Sequence, residues 1–98
     1  MMRRVVFLDP AEEEMLEAAA YYEMQAPGLG GDFLAEVQYA VQRIAEYPES
    51  GRLIKGTIRR RLLRRFPHGI LYRIDPDEIV IVAVMHLRRR PDYWKDRI

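Results

Sequence analysis

No cysteine occurs in the sequence. That excludes a disulfide framework and thiolate zinc sites, and it suits a reducing, cytoplasmic setting. Serine occurs once, at Ser50, and no Gly-x-Ser-x-Gly or Gly-rich phosphate loop is present, so neither a serine nucleophile nor a P-loop is expected. The only histidines are His68 and His86, which without cysteine make a poor zinc set, so no metal and no other cofactor is expected. No apolar run approaches the roughly 20 residues of a membrane helix. The segment after the N-terminal arginines, Val5-Val6-Phe7-Leu8, is too short for a signal-peptide core. Neither a membrane span nor a membrane partner is therefore expected.

Lysine is also scarce. Fourteen of the sixteen Lys/Arg residues are arginine. Net charge is +1, yet residues 1–50 carry three cations against ten acids, 3 − 10 = −7, and residues 51–98 carry thirteen against five, 13 − 5 = +8. Base composition or heat adaptation accounts for a high Arg/Lys ratio but not for this clustering. An arginine-dense half presents planar, permanently charged forks that suit phosphate and carboxylate.

Ninety-eight residues suffice for one domain. Arg3 to Leu8 reads as a strand. Asp9-Pro10 opens a helix with Asp9 as cap, and Ala11, Met15, Ala18, Ala19 and Tyr22 recur as its apolar stripe. Ala26-Pro27-Gly28-Leu29-Gly30-Gly31 breaks it. A second helix runs from about Asp32 to Tyr47-Pro48 on the stripe Phe33, Val37, Ala40, Val41 and Ile44. Glu49 to Gly56 reads as a loop. Ile58 to Phe66, Ile70 to Ile74 and Ile79 to Met85 then read as strands, with turns at Pro67-His68-Gly69 and Asp75-Pro76-Asp77. The run Ile79 to Met85 does not alternate, which marks a central strand covered on both faces, or one whose second face awaits a partner. The order β-α-α-β-β-β implies an α+β fold: a helical hairpin on one face of a mostly antiparallel four-stranded sheet, with the opposite face free.

Two clusters carry the candidate chemistry. On a regular strand Arg59, Arg61 and Arg65 share one face, and Arg60, Leu62 and Arg64 the other; the odd set, with Leu63, is expected on the open face. A charged edge strand that resists aggregation would use the same residues. The second cluster, His86-Leu87-Arg88-Arg89-Arg90, follows the most buried strand. His86 is a candidate general base among cations, or a structural hydrogen-bonding residue. Tyr93 and Trp94 suit base stacking or anchoring of the tail, and Trp94 reads as an anchor. His68 reads as a turn residue.

Five segments then carry a resemblance that spans about residues 5–97: Asp9-Pro10-Ala11-Glu12, Tyr21-Tyr22-Glu23, Pro27-Gly28-Leu29-Gly30 with Phe33-Leu34, Phe66-Pro67-His68-Gly69-Ile70-Leu71-Tyr72-Arg73, and Ala83 to Trp94. In this order they resemble the RelE/ParE toxin superfamily, in its plasmid-stabilisation branch. The resemblance implies the same fold, growth inhibition, and a cognate antitoxin whose acidic, partly disordered segment keeps the toxin inactive. ParE-like members inhibit DNA gyrase. RelE-like members cleave messenger RNA on the ribosome without metal, which would give His86, Arg65 and Tyr93 catalytic roles and phosphate to Arg59, Arg61 and Arg65. For either target, Arg88, Arg89 and Arg90 join Arg59, Arg61 and Arg65 as the binding set. The lysine pair of RelE proper has no counterpart here. A third reading is a non-toxic interaction module on the same fold.

Overall fold

The computed structural model describes residues 3–98. In chain order the elements are β1 (Arg4–Phe7), α1 (Asp9–Gln25), α2 (Leu29–Glu46), a 3-10 turn at Pro48–Ser50, β2 (Arg52–Lys55), β3 (Ile58–Leu62), β4 (His68–Ile74), β5 (Glu78–His86) and a terminal 3-10 turn at Lys95–Arg97. The sheet has five strands in the order β1-β5-β4-β3-β2; β1 runs parallel to β5 and every other pair is antiparallel. The expected α+β fold with its helical hairpin is present. The additional strand, β2, lies in the segment read as a loop. It has four residues, two of them charged, and acquires its conformation by pairing with β3 across a hairpin that turns at Gly56 (φ +56°).

Element ends moved for identifiable reasons. Asp9 is the first residue of α1 rather than its cap; Leu8 occupies the cap position and makes no side-chain cap bond. Helix α2 starts at Leu29, not Asp32. Gly28 there adopts φ +86°, which only glycine takes readily. The Glu23 carboxylate, from the end of α1, accepts the backbone N–H of Gly28 (2.9 Å) and of Gly30 (3.0 Å), supplying the cap that α2 lacks. Gly30 lies against the Ala19 carbonyl, which a Cβ would meet at 2.5 Å, so the hairpin closes tightly. Strand β3 ends at Leu62 instead of Phe66 because Glu36 of α2 accepts the N–H of both Arg64 and Arg65 and bends the chain there.

Both helical stripes pack on the sheet: Ala11, Ala19, Phe33, Val37, Ala40 and Ile44 are buried over Ile70, Tyr72, Ile79, Ile81 and Val84, while Met15, Ala18, Tyr22 and Val41 are partly buried against them. The other face is not free. Ile58, Leu71, Val80, Val82, Ala83 and Met85 form a second cluster, which the tail covers with Trp94, 1% exposed. Strand β5 is thus covered on both faces, which accounts for its lack of alternation. Trp94 anchors the tail; its indole N–H donates to the Pro91 carbonyl at 2.8 Å.

The edge of β5 needs separate treatment. β1 ends at Phe7, opposite Ile81, while β5 continues to His86. Beyond that point side chains replace the missing strand. Glu14 of α1 accepts the Val84 N–H (3.1 Å) and Arg97 donates to the Val82 carbonyl (3.1 Å). Glu14 and Arg97 pair through two 2.9 Å bonds, and the Tyr93 hydroxyl donates to Glu14 at 2.5 Å.

Removing Glu14 strands a half-buried guanidinium and a strand N–H together. Glu14→Ala is expected to cost about 3 kcal/mol in urea denaturation, and Glu14→Gln, which still accepts from Val84, distinctly less. Equal losses for the two would remove the ion pair from the account.

Candidate arginine-rich interface

The strand pairing decides where each arginine points. Arg59 lies opposite Tyr72 and Arg61 opposite Ile70, and both partners belong to the core beneath the helices. Arg59, Arg61 and Leu63 therefore project to the helix side, the reverse of the expected facing. The physical reason is Ile58. It is 1% exposed in the outer cluster, and burying it there sends alternate residues to the other side. Leu63 is core rather than an exposed patch. Arg59 donates to the carbonyls of Glu49 (3.0 Å) and Gly51 (2.8 Å), and Arg61 reaches the Ser50 hydroxyl at 3.5 Å. They brace the loop after α2. On the outer face Arg60 lays its stem over Gly69, beside a groove of about 440 Å³ bordered by Lys55, Met85 and Trp94.

The remaining candidates converge at one end of the sheet. Arg64 and Arg65 sit in the β3–β4 turn, and Arg88, Arg89 and Arg90 follow β5; all five are exposed. A backbone bond from the Leu87 N–H to the Pro67 carbonyl (2.9 Å) joins the two turns. Arg65 approaches Asp32 at 3.5 Å and lies 5.6 Å over the Phe66 ring. Arg89 stacks on Tyr93 at 4.0 Å. Arg64, Arg88 and Arg90 form no ion pair among the described residues. Two clusters some 25 residues apart in sequence thus become one cationic rim, and such a rim suits an anionic partner surface.

His86 lies on the helix side of that rim, opposite His68, with ring centroids 4.9 Å apart. Its Nδ1 accepts the Arg88 N–H at 3.0 Å. His68 is not a turn residue; it begins β4, 4% exposed, against Phe33 and Tyr22. Burial, then the neighbouring His86, lowers its pKa to about 4, with Glu14 acting in the opposite sense. Its Nδ1 is buried without a hydrogen-bond partner. A cleft of about 290 Å³ opens between these imidazoles and Ala18, Tyr21 and Tyr22. The sequence held a signal for this pairing: His68 is nine residues before Asp77 and His86 nine after it, so a hairpin about that turn sets them opposite each other. Tyr93 is held elsewhere. Burial and the bond to Glu14 raise its pKa, and its ring is enclosed by Arg89 and Arg97. No group of three or more His, Cys, Asp or Glu among the described residues could hold a metal ion. Among the described residues, no helix is long and apolar enough to cross a membrane.

Comparison with known proteins agrees with this fold. The model of the family described as ParE toxin of type II toxin-antitoxin system, parDE, matches residues 5–91. A Sinorhizobium fredii protein named "Putative toxin Y4kP" is 40% identical over 76 residues, which is 76% of this chain and 77% of that protein. The chromosomal ParDE toxin–antitoxin system from P. aeruginosa contains a chain of the same fold, with TM-score 0.77 and 16% identity over 87% of this chain and 96% of that one. The toxin–antitoxin complex RelBE2 from Mycobacterium tuberculosis contains another, with TM-score 0.59 and 22% identity over 88% and 99%.

His68 makes stability pH-dependent. Its folded-state pKa lies below the unfolded 6.5, so the unfolded chain takes up the proton first as pH falls. The contribution is complete above about pH 6.5 and is lost progressively toward pH 4, by about 3 kcal/mol. The urea midpoint should drop over that window more steeply for the native chain than for His68→Gln. Parallel curves would contradict the assignment.

Proposed function

Because the chain belongs to the ParE toxin family of type II toxin–antitoxin systems, we propose that it arrests growth by binding DNA gyrase through the arginine rim, without chemistry of its own. The observation that supports this reading is that three residues of the ribonuclease set, Arg59, Arg61 and Tyr93, are committed to other parts of the fold. Cleaving RNA through its 2′-hydroxyl needs a base, phosphate-holding cations and an acid within hydrogen-bond reach of one phosphate. Arg59 and Arg61 are spent on the loop after α2, and the Tyr93 hydroxyl on Glu14. The rim's Arg64, Arg65, Arg88, Arg89 and Arg90 remain exposed, and exposed charge serves recognition.

The rim also suits the cognate antitoxin. An acidic, partly disordered segment would neutralise Arg64, Arg65, Arg88, Arg89 and Arg90 as it folds onto the toxin. An apolar groove of about 300 Å³ between the helices and β1, lined by Phe7, Met15, Leu34, Val37 and Val41, offers such a segment a place for hydrophobic side chains.

The test follows supercoiling by purified gyrase and maps RNA ends on messenger-programmed ribosomes. Supercoiling should be inhibited and no new RNA ends should form. Arg88→Glu with Arg90→Glu should weaken inhibition by at least tenfold, a loss typical of interfacial charge reversal, while His86→Ala retains it. New RNA ends that disappear with His86→Ala would replace this reading with the ribonuclease.

A further inference from the structure

A helix that packs through one face usually turns polar side chains outward. Helix α2 follows this rule, with Gln38, Gln42 and Glu46 among its exposed residues. Helix α1 does not. Leu16 (52% exposed), Ala20 and Met24 (87% exposed) recur at i, i+4 and i+8 on its outward side. Beside that row runs a second at the same spacing, Glu13, Glu17 and Tyr21, also exposed. Neighbouring ridges of this kind are what another helix packs into, and Ala20, the small residue in the middle of its row, lets that helix approach closely. The apolar groove lies on a different flank of α1, where Met15 meets Leu34 and Val37 of α2.

Charge indicates what covers this face. Glu13 and Glu17 lie in the N-terminal half of α1 and form no ion pair among the described residues. They oppose an acidic segment, since like charges brought together across an interface are costly. The face therefore does not suit the partner that suits the rim. The C-terminal half of α1 lies beside the rim: Ala18, Tyr21 and Tyr22 share a cleft with His86, whose Nδ1 accepts the Arg88 N–H. One end of the face thus carries free acids and the other borders arginines, with an apolar row between. The complement of such a face is the same face turned end for end.

We propose that the chain forms a two-fold homodimer in which α1 packs antiparallel on α1 of a second copy. Ala20 meets Ala20 at the axis, Leu16 meets Met24, and Glu13 and Glu17 reach toward Tyr21 and Arg88 of the second copy. The same patch serves both copies, so the assembly closes at two. One helix face is smaller than the about 1,200–2,000 Å² that stable interfaces bury. The dimer is accordingly weak, with a dissociation constant between about 1 μM and 1 mM. It stands apart from the gyrase reading, which supercoiling decides and self-association does not.

The experiment is sedimentation equilibrium of the purified full-length chain across that range, up to about 1 mM. The average mass should rise from that of one chain toward that of two and stop there. Ala20→Glu sets like charges against each other at the axis and should weaken association at least about tenfold. Its melting temperature should hold, because the position is exposed. Tyr39→Ala on α2 should change nothing. Glu17→Arg and Arg88→Glu should each weaken association by about threefold or more, and the double variant should recover it, which a purely apolar contact would not show. A native chain that stays monomeric throughout overturns the proposal and leaves the face to a different protein. It is equally overturned if Ala20→Glu associates like the native chain, if the mass passes that of a dimer, or if the double variant stays as weak as the single ones.

Discussion

Strand β5 must be satisfied on four sides, and most of the molecule is arranged to do so. One edge pairs with β4, across a bulge between Leu71 and Tyr72, and one face lies under the helices. The other two sides are met by the tail. Trp94 closes the outer face, while Arg97 and Glu14 take up the backbone groups left where β1 stops. An unpaired N–H or C=O in a covered strand costs about as much as a lost hydrogen bond. Extending β1 would have solved the problem with backbone. Solving it with side chains ties α1, β5 and the C-terminus into one unit, and it commits the Tyr93 hydroxyl to Glu14.

How much of this was legible in the sequence depends on what determines each feature. The helical stripes and the identity of β5 follow from spacing that tertiary contacts did not override. Helix α2 began early because Glu23, a residue of the preceding helix, caps it, and a local reading of Pro27-Gly28-Leu29-Gly30 sees only breakers. Strand β2 was illegible because four half-polar residues become a strand only once β3 is beside them. The arginine facing inverted because parity on a strand needs one fixed point. Leu62 and Leu63 offer two, and the decisive one was Ile58. A one-residue choice of that kind exchanges whole faces.

The candidate interface shows the same dependence on register. Arg88, Arg89 and Arg90 could be placed because they follow a strand whose end is well marked. Arg59 and Arg61 could not; they project to the helix side and contact the loop after α2. Arg64 and Arg65 reached the rim only because Glu36 ended β3 early. His68 stood in plain view beside proline and glycine and so read as a turn. Its role required the partner histidine and the pairing between them.

The charge asymmetry of the chain gains a different meaning once these contacts are placed. The acidic half is not merely a solvated surface. Glu14, Glu23 and Glu36 each give a carboxylate to backbone N–H groups of another element: Val84, then Gly28 and Gly30, then Arg64 and Arg65. Spent in this way, those acids are poorly placed to neutralise guanidinium groups elsewhere. Among the described residues, the one rim guanidinium in an ion pair is that of Arg65, 3.5 Å from Asp32 and in solvent, where such a pair is worth little. The fold therefore commits three of its fifteen carboxylates to its own backbone and leaves positive charge at one end of the sheet. Like charges held close together by rigid strands repel one another. A partner that supplies acids there relieves the repulsion as well as making contacts, so the device that builds the fold also prepares its surface for an anionic partner.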